Sequence, residues 1–159
     1  MADGPKPGQS DRGMVESVLR LAHGLLKAGR YAEAIPALLR AADLLPDNPV
    51  VFDDLGRAYL LVRRLPEAAT SLRRAIALRP GFARTHSSLG LALAQAGDYE
   101  GALAAYRRAI ALDPRLAEAH GRAADILLRK GRRDEAVAEY ERAFEVAVID
   151  VALAAVPKR

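Results

Sequence analysis

An all-α protein built from repeated antiparallel helix pairs is what the sequence predicts, on three observations. The first is a spacing of 34 residues. Gly56 precedes Gly90 by that interval and Leu55 precedes Leu89, while Ala34, Ala68, Ala102 and Ala136 form one series and Ala41, Ala75, Ala109 and Ala143 another. The second is punctuation. Pro46, Pro80 and Pro114 mark three repeat ends, and Gly29, Gly97 and Gly131 mark three turns between helices, with Arg63 in the slot of a fourth. Glycine takes the left-handed conformation at a helix end without a side-chain penalty, and proline cannot continue a helix. The third is composition: 51% hydrophobic and 5% aromatic residues suit helices packed through alanine and leucine.

The clearest copy spans 83–116. Leu89, Gly90 and Leu93 share one side of a first helix, Gly97 ends it, and Asp98 and Tyr99 make the turn. Ala102, Tyr106, Ala109 and Ile110 share a face of a second helix that Pro114 stops. Two short helices cannot bury their apolar faces alone, so each pair needs neighbours. Four copies fall at about 15–48, 49–82, 83–116 and 117–150, together a repeat region of 14–150.

Ahead of the copies, residues 1–13 carry two prolines, three glycines and no apolar run, which predicts a disordered lead-in. The first copy has Val18, Leu21, Ala22 and Leu25 as the inward stripe of one helix and Ile35, Leu38 and Ala41 inward on the next. Phe52, Leu55, Gly56 and Tyr59 are the inward set of the second copy, and Pro66 falls in the first turn of its second helix, where its fixed dihedral suits. The fourth copy is the most degenerate, with Ala123 and Ala124 in place of the leucine and glycine pair and Val148 where a proline belongs. Without that stop, the helix opened near Asp134 is expected to run on towards Val156, before Pro157. The stretch 146–156 holds a single charge, Asp150. The segment is therefore expected either to cap the fourth copy as a ninth helix or to dock on a second copy of the chain or another domain.

The 24 basic and 20 acidic residues give a net charge of +4 and are mostly interspersed. The second copy is the basic one, with Arg57, Arg63, Arg64, Arg73, Arg74 and Arg79 against Asp53, Asp54 and Glu67. No stacking aromatics interleave with it and other copies do not continue it, which argues against a nucleic-acid partner. Arg40, Arg74, Arg108 and Arg142 recur one per copy, as a solvated position would. A secretory signal and an apolar run of about 20 residues are both missing, so the expected location is the cytoplasm, with no membrane partner.

No catalytic chemistry emerges. Without cysteine there is no disulfide framework, thiolate site or cysteine nucleophile. Of the histidines His23, His86 and His120, the last two stand 34 residues apart with no third ligand evident, so no metal is expected. Asp53 and Asp54 are adjacent on a helix and point about 100° apart, a poor acid–base pair. Neither a glycine-rich phosphate loop nor a nucleophile elbow occurs, and no cofactor is implied.

The recurring small residue in the first helix, two alanines in the second and closing proline make the chain resemble the tetratricopeptide repeat family over roughly nine tenths of its length. His86 and His120 occupy a place where that family prefers a large aromatic. The resemblance implies a right-handed superhelix, an α-solenoid, whose concave groove is lined by the first helix of each pair and holds a peptide or partner helix. The groove-facing candidates are Arg20, His23 and Lys27, then Asp54, Arg57 and Leu61, then Ser88, Leu91 and Gln95, then Arg122, Asp125 and Arg129. They imply a non-enzymatic, bacterial-type scaffold for an extended peptide carrying an acidic group and apolar anchors. The carboxylate clamp of the branch that binds heat-shock chaperones is not matched. One frame offers Leu19, His23, Asp54, Arg84 and Ser88, the other Asp53, Arg57, Ser88, Glu118 and Arg122, each with at most two basic residues and no asparagine. The helical targeting part of a larger transferase, or a secretion or pilus-assembly chaperone, are the alternative roles.

Overall fold

The computed structural model describes residues 9–154, with side chains from 12 to 149. Residues 1–8 and 155–159, and hence parts of the expected lead-in and of the 146–156 stretch, lie outside the described residues. The described residues form eight α-helices and no strand: α1 (Gln9–Lys27), α2 (Tyr31–Leu44), α3 (Pro49–Leu61), α4 (Leu65–Leu78), α5 (Ala83–Gln95), α6 (Tyr99–Leu112), α7 (Ala117–Arg129) and α8 (Arg133–Ala154). None of them is long and apolar enough to cross a membrane.

Each helix pair is closed by the same turn. The left-handed residues are Gly29 at φ 71°, Arg63 at 61°, Gly97 at 88° and Gly131 at 74°. In every case the following amide reaches back five residues: Arg30 N–H to the Leu25 carbonyl (2.9 Å), Arg64 to Tyr59 (2.9 Å), Asp98 to Leu93 (2.9 Å) and Arg132 to Leu127 (2.9 Å). That pair of features satisfies the orphan carbonyls of a helix end. Arg63 therefore adopts the conformation that its three counterparts reach with glycine. At helix starts, the Asn48 side chain accepts from the Val50 amide at 3.0 Å with Pro49 in the first turn, and Asp98 accepts from Gly101 at 2.9 Å.

The helices group into two compact units, one ending at Arg79 and the other beginning at Pro80. In unit one α1 packs on α2, α2 on α3 and α3 on α4; in unit two α5 packs on α6, α6 on α7 and α7 on α8, with α5 also touching α7. The core of unit two joins Ala102, Leu103, Tyr106 and Ala109 of α6 to Ala119, Ala123, Ala124, Ile126 and Leu127 of α7 and Ala136 of α8. Small residues permit the close approach. A Cβ on Gly90 would stand 2.7–2.9 Å from the Tyr106 ring, and one on Gly56 2.6 Å from Leu72 Cγ.

Two sequence expectations take a different form. Helix α1 begins at Gln9, so the last five residues of the stretch read as a disordered lead-in are helical; adding turns to an anchored helix costs far less than nucleating one. Leu21, read as inward, is 58% exposed, because no described helix precedes α1 to cover it. Helix α8 runs unbroken to Ala154, as the missing proline allows, and Val148 and Ile149 near its end are 48% and 51% exposed. The recurring arginines are exposed in all four copies, as a solvated position should be, though their partners differ. Arg74 donates to the Pro46 carbonyl at 3.1 Å and lies over the Phe52 ring, whereas Arg142 donates to Glu139 at 3.0 Å.

His86 and His120 are buried. Each donates from Nε2 to the carbonyl of the proline six residues before it, Pro80 at 2.9 Å and Pro114 at 3.0 Å, and His120 Nδ1 also meets the Glu139 carboxylate at 2.6 Å. They tie the start of a first helix to the turn before it.

Candidate partner-binding site

Each unit carries a cavity lined chiefly by first helices. In unit one His23, Leu26 and Lys27 of α1, Tyr31 of α2, and Asp54, Arg57, Ala58 and Leu61 of α3 enclose about 300 Å³. His23 Nε2 lies 3.3 Å from Asp54 Oδ2. Burial pushes the Asp54 carboxyl above its ordinary range, and the neighbouring His23 and Arg57 oppose that rise. The cavity is thus a charged cleft, with Lys27 and Arg57 adding two cations and Leu26, Ala58 and Leu61 giving apolar wall.

In unit two Leu91, Ala94 and Gln95 of α5, Tyr99 and Tyr106 of α6, and Arg122, Asp125, Ile126, Leu128 and Arg129 of α7 enclose about 630 Å³. Tyr106 is only 1% exposed, and its hydroxyl has no hydrogen-bond partner among the described residues. Burial pushes that phenol up to about 12, so it stays protonated and can both donate and accept. A buried polar group without a partner is uncommon in folded proteins. At the rim, the Arg129 guanidinium stands 5.8 Å from the Tyr99 ring centroid and Arg122 lies 3.4 Å from Glu118. Asp125 accepts from the Tyr140 hydroxyl at 2.5 Å, which raises the Tyr140 phenol, since ionisation would set two negative charges together.

Ten of the twelve residues singled out by sequence line these two cavities: His23, Lys27, Asp54, Arg57 and Leu61 the first, Leu91, Gln95, Arg122, Asp125 and Arg129 the second. Ser88 lines neither. Arg20 faces a different groove of about 420 Å³ on α1, shared with Ser17, Leu21, Gly24, Leu25, Ala28 and Arg30. Sequence spacing puts Tyr31 and Tyr99 in turns and Tyr106 in the core, and so misses all three as cavity residues. A signal is nonetheless present: Tyr31 and Tyr99 open second helices at the same repeat position, two repeats apart, and each lines the cavity of its unit.

The tetratricopeptide repeat family model matches residues 19–81 and again 53–117, and a second model of the same description matches 93–155. The chain belongs to the tetratricopeptide repeat family. No curated protein matches it in sequence. Among solved structures, a crystal structure of MamA is similar at 28% identity and a TM-score of 0.85, over 91% of this chain and 84% of that one. MamA 41-end from Desulfovibrio magneticus RS-1 shares the fold at 22% identity and a TM-score of 0.79, over 84% of this chain and 75% of that one. The first tetratricopeptide repeat domain of Spaghetti (RPAP3), bound to the HSP90 peptide SRMEEVD, is 25% identical with a TM-score of 0.71, over 74% of this chain and 93% of that one. Helix pairs closed by left-handed turns thus place this tetratricopeptide repeat chain in the all-α solenoid class, among protein-interaction modules.

Proposed function

We propose that the chain is a non-catalytic interaction module that binds an extended peptide or partner helix and scaffolds a protein complex. The cavity of unit two carries the reading. It sets two guanidinium groups, Arg122 and Arg129, around walls of Leu91, Ala94, Ile126 and Leu128, over a buried phenol hydroxyl that has no partner among the described residues. An acidic side chain flanked by apolar ones suits that arrangement: carboxylate to arginine and apolar groups to the walls. The RPAP3 domain was solved with a peptide of related character, SRMEEVD, which supports the class of ligand. Its sequence is not a guide to the ligand here, because neither repeat frame supplies clamp-like cations with an asparagine.

The test is selection of a random displayed heptapeptide library on the full chain, followed by calorimetric titration of the winners. Enriched peptides should pair an acidic residue with apolar neighbours. The Arg122→Glu/Arg129→Glu variant should bind them at least about tenfold more weakly while melting within a few degrees of the parent. Leu91→Glu, which places a like charge on an apolar wall, should also weaken binding. Peptides whose affinity ignores substitutions in both cavities would refute the proposal.

A further inference from the structure

The second helices of successive pairs offer an internal comparison. On α2, Ile35 and Leu38 are 6% and 0% exposed, and on α6 the equivalent Leu103 and Tyr106 are 2% and 1% exposed. Their counterparts on α8, Val137 and Tyr140, are 53% and 37% exposed, and Phe144, one turn on, reaches 71%. What α2 and α6 have, and α8 lacks among the described residues, is a following first helix, α3 or α7, packed on that face. The same stripe continues into Val148 at 48%.

The mirror-image gap lies on α1. On α3, Val51, Leu55 and Ala58 are 2%, 3% and 0% exposed, and on α7 Ala119, Ala123 and Ile126 are 0%, 1% and 3% exposed. The equivalent α1 residues Ser17, Leu21 and Gly24 are exposed, and they line the groove that also holds Arg20. Nothing stands within 4 Å of where a Gly24 Cβ would be. Here, among the described residues, no second helix precedes α1.

We propose that the chain associates head to tail with further copies of itself, the outer face of α8 in one copy packing on the outer face of α1 in the next, as α6 packs on α7. Such association is independent of peptide binding in the cavities. Both halves of the junction belong to this chain, and a surface that mates with a different surface of an identical copy is heterologous, so it propagates. Charge selects this mate over the alternatives. Of the five acidic residues of α8 from 133 to 149, Glu135 and Glu139 are paired within the chain with Arg107, Arg132, His120 and Arg142, which leaves Asp134, Glu141 and Glu145 against Arg133, so pairing α8 with α8 sets like charge against like; from 12 to 27, α1 bears Arg12, Arg20 and Lys27 against Glu16. The apolar stretch 146–156 expected to mediate self-association overlaps only the end of this face. Its centre is the preceding Val137, Tyr140 and Phe144.

Light scattering behind size exclusion on the full chain, across a concentration series, reads the outcome. Mass is expected to rise with concentration past that of a dimer. Leu21→Glu blocks the α1 face and Phe144→Glu the α8 face, and both positions are already exposed, so each variant should keep the parent's helicity. Gly24→Arg, projecting into open space, is a second block of α1. Each blocked variant alone should self-associate at least about tenfold more weakly. An equimolar mixture of Leu21→Glu and Phe144→Glu should give a dimer and nothing larger, because the first keeps an intact α8 face and the second an intact α1 face. A parent that stays monomeric throughout overturns the proposal. So does a Leu21→Glu variant that associates like the parent, the result expected of α8 pairing with α8, and so does a mixture that remains monomeric.

Discussion

Gly56 of unit one and Gly90 of unit two occupy the same place in successive repeats, and each is the point where a first helix closes on a second, but they close on different side chains. Gly56 meets Leu72, which is wholly buried and wholly apolar. Gly90 meets Tyr106, equally buried, whose ring fills the same seat, borders the larger cavity and carries a buried hydroxyl without a partner among the described residues. The backbone requirement is identical: a hydrogen in place of a methyl, so that two helices touch. What changes is the chemistry delivered past the contact. Unit one ends in aliphatic packing, and its cavity draws polarity from His23, Asp54 and Arg57 on first helices. Unit two buries a polar atom of a second helix beside its cavity. The two cavities also differ at equivalent first-helix positions, His23 and Leu91, Lys27 and Gln95, Asp54 and Arg122, Arg57 and Asp125, so one repeat scaffold makes two sites of different character.

The largest effect that probes this contrast is Tyr106→Ala. Removing a fully buried aromatic leaves a void next to Gly90, and a loss of about 3–5 kcal/mol is expected. Leu72→Ala in unit one should fall in the range of about 2–5 kcal/mol. Urea unfolding gives both totals, and hydrogen exchange locates them: amides of α5–α7 should lose protection in the first variant and those of α3 and α4 in the second. Equal loss throughout the chain in both variants would show that the seats are not local to their units.

Filling the glycine tests the contact from the other side. In Gly90→Ala the new methyl meets three ring carbons within 2.9 Å, and the rigid tyrosine must swing about Cα–Cβ to clear it. A cost of about 2–3 kcal/mol follows from overpacking of this kind. Gly56→Ala meets Leu72 Cγ at 2.6 Å, Cδ2 at 2.9 Å and the Ala68 carbonyl oxygen at 3.2 Å; Cγ too moves only by rotation about Cα–Cβ, in a wholly buried seat, so a similar cost of about 2–3 kcal/mol is expected. Thermal melts should show a loss in both variants; a variant that melts like the parent would mean that its seat can open.

A smaller effect concerns the turn of unit one, and it measures how far the sequence can be read. The 34-residue period locates all four turns, and the spacing alone shows Arg63 standing where the other three copies have glycine. Its φ of 61° shows that the neighbouring hydrogen bonds impose the turn on a residue ill suited to it. Arg63→Gly should therefore stabilise by about 1 kcal/mol, partly offset by the greater freedom glycine gives the unfolded chain. No gain in melting temperature would contradict the strain argument. Periodicity is less informative about Leu21 and the α8 face. It tells which side of a helix a residue occupies, but whether another helix covers that side depends on position in the array. Leu21 and Leu55 are the same letter in the same register, and only one is buried. The cavity tyrosines escape notice for a related reason: Tyr106 reads as core by spacing, and its ring is core, while its hydroxyl is not satisfied there.

The smallest effect concerns the charged cleft of unit one. Burial raises the Asp54 carboxyl, with His23 opposing. The folded chain then holds this proton more tightly than the unfolded chain does. The associated stability is full below the unfolded aspartate value of about 3.9 and is lost as pH climbs through the raised folded value. At neutral pH the ionised carboxylate is a liability that Asp54→Asn removes without changing shape. The variant should be more stable than the parent at pH 7, and its advantage should shrink as the pH is lowered towards 3.5. Glu33 and Glu67 run the other way: hydrogen bonds from Arg30 and Arg64 lower them, so their support is present at neutral pH and lost on acidification. Both are surface pairs and contribute little. Thermal melts of parent and variant at pH 7, 5 and 3.5 separate the signs. An Asp54→Asn chain that is weaker than the parent at pH 7 would mean that the contacts with His23 and Arg57 outweigh the burial of the carboxylate.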